Sequence, residues 1–190
     1  LMKEWVKDEV PVVGWIEGAV AESCDLMDMQ EFFMNLYDEP EAMEQLMNTC
    51  MEQSLAFAKA QIQAGADIIG MGDAASSLIG PSLYEEFALP YQQKMIQAIH
   101  EMGAKVKLHI CGDLNPVLEY VAKTGADIID LDFMVDLEKA AQIFPKESSI
   151  CGNISPVDVV LFGTKELVES SVKDCMKIKT LNHNIIAPGC

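Results

Sequence analysis

Basic residues are scarce in this sequence. Thirteen lysines and arginines face 30 aspartates and glutamates, a formal net charge of −17 over 190 residues. A nucleic-acid-binding face has to be basic to meet phosphates, so that partner class is set aside. Docking on anionic lipid fails for the same reason, and the acidity is read as a solvated, repulsive surface. Long apolar runs are missing too. None approaches the ~20 residues that a membrane span needs, and no charged-then-apolar segment opens the chain as an export signal would. Cysteine, with six copies, is too sparse for a disulfide scaffold. The thiols are read as reduced, in a cytoplasmic protein, with some available to bind metal.

What is there is half hydrophobic, enough for one domain with a sizeable core. Strands are predicted over residues 10–16, 66–72, 104–111, 127–132, 148–153 and 184–189. Residues 17–21 read as a loop, and Asp28 as the cap of a short helix to about Tyr37. Asp38 and Glu41 form a capping box for a long helix that Gly65 stops. Met43, Leu46, Met47, Cys50, Leu55, Ala58 and Ile62 recur along it at helical spacing. Methionine here is read as gap-filling core between helix and sheet. Ser82-Leu83-Tyr84-Glu85 reads as a second capping box, opening a helix to Met102 that Pro90 should kink. Asn115-Pro116 is taken as N-cap and first-turn proline of a helix reaching Gly125. Asp136 caps a short helix to about Phe144, Ser155-Pro156 opens another, and residues 164–178 form a longer one.

Strand and helix thus alternate six times, which implies a parallel sheet with helices outside. Ala64-Gly65-Ala66-Asp67-Ile68-Ile69 and Thr124-Gly125-Ala126-Asp127-Ile128-Ile129 repeat the same helix stop and strand start. Units of this size suit a (β/α)8 TIM barrel of about 250 residues, of which six units are present. An open doubly wound sheet is the competing architecture, but no glycine-rich phosphate loop follows the first strand. Leu1-Met2-Lys3-Glu4-Trp5 reads as the tail of a helix, and Cys190 falls where a strand hands over to a loop. Residues 1–190 are therefore expected to be a single catalytic barrel domain truncated at both ends.

Barrel active sites lie at the C-terminal ends of the strands. Here those ends carry Glu17, Asp73, His109 with Cys111, Asp130 with Asp132, Cys151 with Asn153, and Cys190. His109 and Cys111 are two apart on one strand and so share a face. With Cys190 they offer one nitrogen and two sulfurs and leave a fourth position open, the catalytic form of a zinc site. The alternative is a buried histidine bonded to backbone, with the cysteines as small core residues. Cys151 is a second choice for the third ligand. Glu17 and Asp73 are candidates to orient His109, to act as a displaceable ligand or to handle a proton, or else to sit satisfied at a helix N-terminus. Asn153 is expected to bond substrate or loop backbone, and Asp132, with Asp130, to line the pocket or brace it. His100 and His183 are read as surface residues, and Cys24, Cys50 and Cys175 as structural.

The motifs Gly14-Trp15-Ile16-Glu17-Gly18, residues 65–73, His109-Ile110-Cys111-Gly112, residues 127–132, Cys151-Gly152-Asn153 with Pro156, and Ala187-Pro188-Gly189-Cys190 resemble the uroporphyrinogen decarboxylase superfamily. Within it the sequence is similar to the zinc-dependent, corrinoid-linked methyltransferase branch, along essentially its whole length. The resemblance implies a (β/α)8 barrel, with Zn2+ held by His109, Cys111 and Cys190. It also implies a methylated corrinoid carried by a partner protein, and methyl transfer to or from a small molecule such as a thiol. Metal-free decarboxylation of a tetrapyrrole is the alternative activity within the superfamily.

Overall fold

The computed structural model describes residues 2–178 and 184–190. His183, expected on the surface, and Leu1, in the expected helix tail, lie outside the described residues. Six parallel strands run in sequential order: β1 (Val13–Glu17), β2 (Ile68–Gly72), β3 (Lys105–Ile110), β4 (Ile128–Leu131), β5 (Ser149–Cys151) and β6 (Asn184–Ile185). Strand order never reverses, as it must in a doubly wound sheet. The chain is six successive units of a (β/α)8 barrel.

The strands alternate as a barrel wall should. On β3, Val106, Leu108 and Ile110 are buried in the helix-covered core, while Lys105, Lys107 and His109 face the other way. Register aligns Glu17, Gly72, His109, Asp130, Cys151 and Ile185 in one row across all six strands. Glu17, His109, Asp130 and Cys151 therefore share one level near the strand ends, and Asp73, Cys111, Asp132 and Asn153 follow one or two residues beyond it.

Helices α1 (Met2–Val6), α2 (Ala19–Leu26), α3 (Met29–Asp38) and α4 (Pro40–Gln63) occupy the first third of the chain. Asp28 caps α3, accepting from the backbone N–H groups of Gln30 and Glu31. On α4, Met43, Met47, Cys50, Ser54 and Ala58 are buried, so the methionine stripe is core. Two local expectations fail here. Residues 19–21 are helix, not loop, because a carboxylate from another strand supplies their cap. Helix α4 is capped at Glu39 without a side-chain bond; Pro40 sets the first turn, so Asp38 ends α3 and does not form a box.

The next crossover begins with a 3-10 turn (Ala74–Ser77), then α5 (Gly80–Leu83), a π-helical segment (Tyr84–Ala88) and α6 (Leu89–Glu101). The start lies at Gly80-Pro81, two residues before the expected capping box. Pro90 does not break the helix. Its ring opposes the carbonyl of Glu86 four residues back, and the wider π turns there accommodate it. Helix α7 (Leu118–Val121) is much shorter than predicted and starts after Val117. Asn115 is not its cap; its side chain instead bonds Asp113, the Met134 carbonyl and the Asp136 N–H. Asp136 caps α8 (Leu137–Ile143), Ser155 caps a π segment (Pro156–Leu161), and Thr164 caps α9 (Lys165–Met176). β6 is two residues long, and a bridge from Pro188 to Ile154 continues its pairing.

The repeated Gly-Ala-Asp-Ile-Ile stretch has a structural reason. Gly65 and Gly125 are left-handed, at φ 105° and 85°, as helix stops that favour glycine require. Asp67 then accepts from the Val12 N–H at 2.8 Å, and Asp127 from the Val106 N–H at 2.9 Å. Each aspartate opens its own strand and ties down the start of the strand before it.

Candidate metal site at the strand ends

Lys107, His109 and Cys111 share the inner face of β3 and its extension. His109 Nε2 lies 3.0 Å from Cys111 Sγ, and the Cys111 thiol donates to Cys190 Sγ at 3.1 Å. The ligand atoms of His109, Cys111 and Cys190 all lie within 4.8 Å of one another. His109 and Cys111 are half-buried and Cys190 is exposed, so the set is backed by protein on one side and open on the other. Burial, the bond to Cys190 and the charges of Asp132 and Asp130 push the Cys111 thiol up to about 12. The donor set of two soft sulfurs and one imidazole fits zinc, with an open position.

Asp130, not Glu17 or Asp73, stands behind His109. His109 Nδ1 is 3.3 Å from the Asp130 carbonyl oxygen and 3.5 Å from its carboxylate. Nδ1 thus faces oxygen acceptors, and Nε2 is turned toward the thiols, the nitrogen placed for the metal side. Asp130 is held in turn by Lys107 at 2.8 Å. Sequence reasoning missed this chain. Its signal was a half-buried lysine, Lys107, on the inner face of a strand two residues before His109, which demands a carboxylate across from it.

Asp73 sits elsewhere than expected. It is 1% exposed and accepts from the Ala21 N–H at 2.9 Å, Ser76 Oγ at 2.7 Å and Gln92 Nε2 at 2.7 Å. Gly18, the N-cap of α2, has no side chain to offer, and a Cβ there would lie 2.4 Å from the Asp73 carboxyl carbon. The Asp73 carboxylate therefore caps α2 from the end of β2, the helix-terminus role, and only the Asp73 backbone meets His109, its N–H donating to the His109 carbonyl at 2.9 Å. Glu17 does face the barrel interior. It accepts from Trp15 Nε1 at 2.8 Å and reaches over Gly72, the register partner of His109. Burial raises its pKa against the opposing Trp15 bond, helped by Asp25, Glu22 and Asp73.

Asp132 and Asn153 act on backbone. Asp132 is 4% exposed and accepts from the N–H groups of Gly112, Phe133 and Cys190. Asn153 Nδ2 donates to the carbonyls of Val135, at 2.7 Å, and Asp132, at 3.3 Å. Both brace loops, the backbone role that the sequence leaves open for each beside a place in the pocket. Cys151, the second-choice ligand, is buried beside Asp130, and burial with that carboxylate pushes its thiol up to about 11. His100 is half-exposed and pairs with Asp127 at 2.7 Å. A cavity of about 490 Å³ opens beside the outer edge of β1, between α2 and α4, with Trp15, Glu17 and Phe57 in its lining. None of His109, Cys111 and Cys190 lines it.

The family model for uroporphyrinogen decarboxylase (URO-D) matches residues 1–190, the whole chain. The chain belongs to the URO-D family. Among curated relatives, the methylcobamide:CoM methyltransferase MtbA of Methanosarcina acetivorans is 32% identical over all of the chain and 55% of its own length. A uroporphyrinogen decarboxylase of Prochlorococcus marinus is 35% identical over 80% of the chain and 45% of its own length. Among solved structures, a methyltransferase from Methanosarcina mazei superposes with a TM-score of 0.90 at 26% identity, covering the whole chain and 55% of the other. A B12-independent methionine synthase from Shewanella shares the fold, with a TM-score of 0.68 at 17% identity. The chain spans about half the length of the curated relatives it matches. Among the described residues, no helix is long and apolar enough to cross a membrane.

Proposed function

We propose that this URO-D chain is part of a zinc-dependent methyltransferase that moves a methyl group between a corrinoid protein and a small molecule. Residues 1–190 would form the greater part of one cytoplasmic catalytic barrel. The observation that carries the reading is the convergence of His109, Cys111 and Cys190, from two strand ends, onto one point with an open side. The MtbA likeness over the whole chain supports it.

Bound zinc would hold Cys111, Cys190 and a substrate thiol deprotonated at neutral pH. The chain's own residues set the charge of that site. Two cysteine thiolates balance a divalent ion, and Asp130 and Asp132 add anionic charge beside them. Electron density on a substrate sulfur is thereby kept high, as attack on a methyl carbon needs. His109 is held by Asp130 with Nε2 facing the thiols, and Glu17 is the inner-face carboxylate available to handle a proton.

The decarboxylase reading has its own support in the Prochlorococcus relative, and metal content separates the two. The methyltransferase reading expects about one zinc per chain, lost in Cys111→Ser and in Cys190→Ser, and a cobalt spectrum that changes when a methylated corrinoid protein meets an acceptor thiol. A zinc-free protein that decarboxylates uroporphyrinogen would overturn it.

A further inference from the structure

Strands β3 and β6 are separated by two strands, so at ~4.8 Å per step their backbones lie on the order of 14 Å apart along the sheet. Yet Cys111, just after β3, and Cys190, five residues after β6, bring their sulfurs to 3.1 Å. Sheet pairing alone does not do this. Two attachments carry the Cys190 segment inward. The Gly189 N–H donates to the Ile154 carbonyl at 2.8 Å, and the Cys190 N–H donates to Asp132 Oδ1 at 3.1 Å. The other oxygen of the same carboxylate, Oδ2, accepts from the Gly112 N–H at 3.0 Å, next to Cys111. The approach is close enough to need glycine, because a Cβ on Gly189 would lie 2.5 Å from Asp132 Oδ1 and 2.8 Å from the Phe133 nitrogen.

We propose that Asp132 is a positioning residue whose buried carboxylate clasps the Gly112 and Cys190 backbones and so sets the spacing of the two thiols, without itself being a metal ligand. The proposal rests on the metal reading above only for its consequence; the clasp is a property of the metal-free chain. Both oxygens already accept backbone N–H groups, Oδ1 also taking that of Phe133 at 2.8 Å. Asp132 also lies outside the convergent His109–Cys111–Cys190 set. Its backbone carbonyl is tied by Asn153, so the clasp is anchored to the loop after β5 as well.

Asp132→Asn keeps the shape but presents an NH2 group to one of the two loops. In the metal-free protein, phenylarsine oxide, which bridges two neighbouring thiols, should bind wild type tightly and this variant at least ~10-fold more weakly, with Cys190→Ser as the background. In the zinc-loaded protein, chelator competition should show a 10–100-fold loss of affinity, the range for residues that orient ligands. X-ray absorption should show the same ligand atoms in both. Gly189→Ala leaves Asp132 intact and should reproduce the loss, which guards against a variant that fails to fold. Unchanged arsenical binding in both variants overturns the clasp. Loss of an oxygen from the zinc shell in Asp132→Asn overturns it too, by making Asp132 a ligand. Wild type that binds the arsenical through Cys111 and Cys190 but no zinc supports the clasp and sinks the metal reading alone.

Discussion

Replacing Asp73 by alanine tests whether this carboxylate holds the fold or does chemistry. It accepts three protein donors: the Ala21 N–H, the Ser76 hydroxyl and the Gln92 amide. A hydrogen bond to a charged group contributes ~1.5–3 kcal/mol, and a buried donor left without a partner costs ~1–3 kcal/mol. Three such losses would suggest well over 5 kcal/mol, but two offsets apply. Ser76 Oγ keeps a long contact with Gln92 Nε2 at 3.4 Å, and Gln92 Oε1 still accepts from Tyr84. Removing a buried charge also recovers its desolvation cost, the burial that raises the Asp73 pKa against the bonds from Gln92, Ala21 and Ser76. The expected net loss is about 2–4 kcal/mol, a large share of the ~5–15 kcal/mol a domain holds. Urea unfolding should show a lower midpoint at unchanged slope, and a cycle with Gln92→Ala should be less than additive. Linkage adds a sign. The folded pKa is raised, so protonation favours the fold. The advantage of wild type over Asp73→Asn should therefore be full below the ordinary carboxylate value and shrink as pH rises through the raised one. A variant with wild-type stability and no activity would refute this account and return Asp73 to the chemistry.

Asp127 should behave oppositely. Burial pushes its pKa up, but the Val106 N–H, Lys105 and His100 outweigh it and hold the carboxyl below its usual range. Asp127→Ala should cost about 1–2 kcal/mol at neutral pH, and urea titrations should show that difference fading as pH falls below roughly 4. Glu17, if it handles a proton as a base, should give an acid limb of the rate profile above the ordinary glutamate range, since burial raises its pKa; Glu17→Gln should abolish that limb, and an unaltered limb would exclude the role.

Most of the architecture was legible because apolar runs of five or six residues and glycine stops are local signals. The ends of elements were not. Helix α2 has no capping side chain of its own; its cap arrives from Asp73, 52 residues on from Ala21. The same long-range placement hid the division of labour among the acids. His109, Cys111 and Cys190 could be grouped from strand-end position and chemistry. Which carboxylate faces His109 depends on register, and register pairs it with Asp130, one strand away and 21 residues later. Asp130 and Asp132 look interchangeable in the sequence. Two positions along a strand end separate one that braces an imidazole from one that fastens two loops.

The two ends of the sheet use the same device with opposite electrostatics. At the N-terminal ends, Asp67 and Asp127 each accept a backbone N–H from the neighbouring strand, and each is neutralised, by Lys3 at 2.7 Å and by Lys105 at 2.9 Å. At the C-terminal ends, Asp73 and Asp132 accept backbone N–H groups in the same way, but among the described residues no ion pair with lysine reaches either. Lys107 is the cation nearest His109 along β3, and Asp130 occupies it. Hydrogen-bond donors hold Asp73 and Asp132 in place of a cation, so this end keeps charge that the other end, with both carboxylates ion-paired, does not. Leaving the site end anionic makes sense if a cation completes it. A divalent ion between Cys111 and Cys190 would offset the two thiolates and feel the charge of Asp130 and Asp132 behind them. The metal proposed above would meet that setting at the His109 end, with Asp132 close behind the thiols and Asp130 already offset by Lys107.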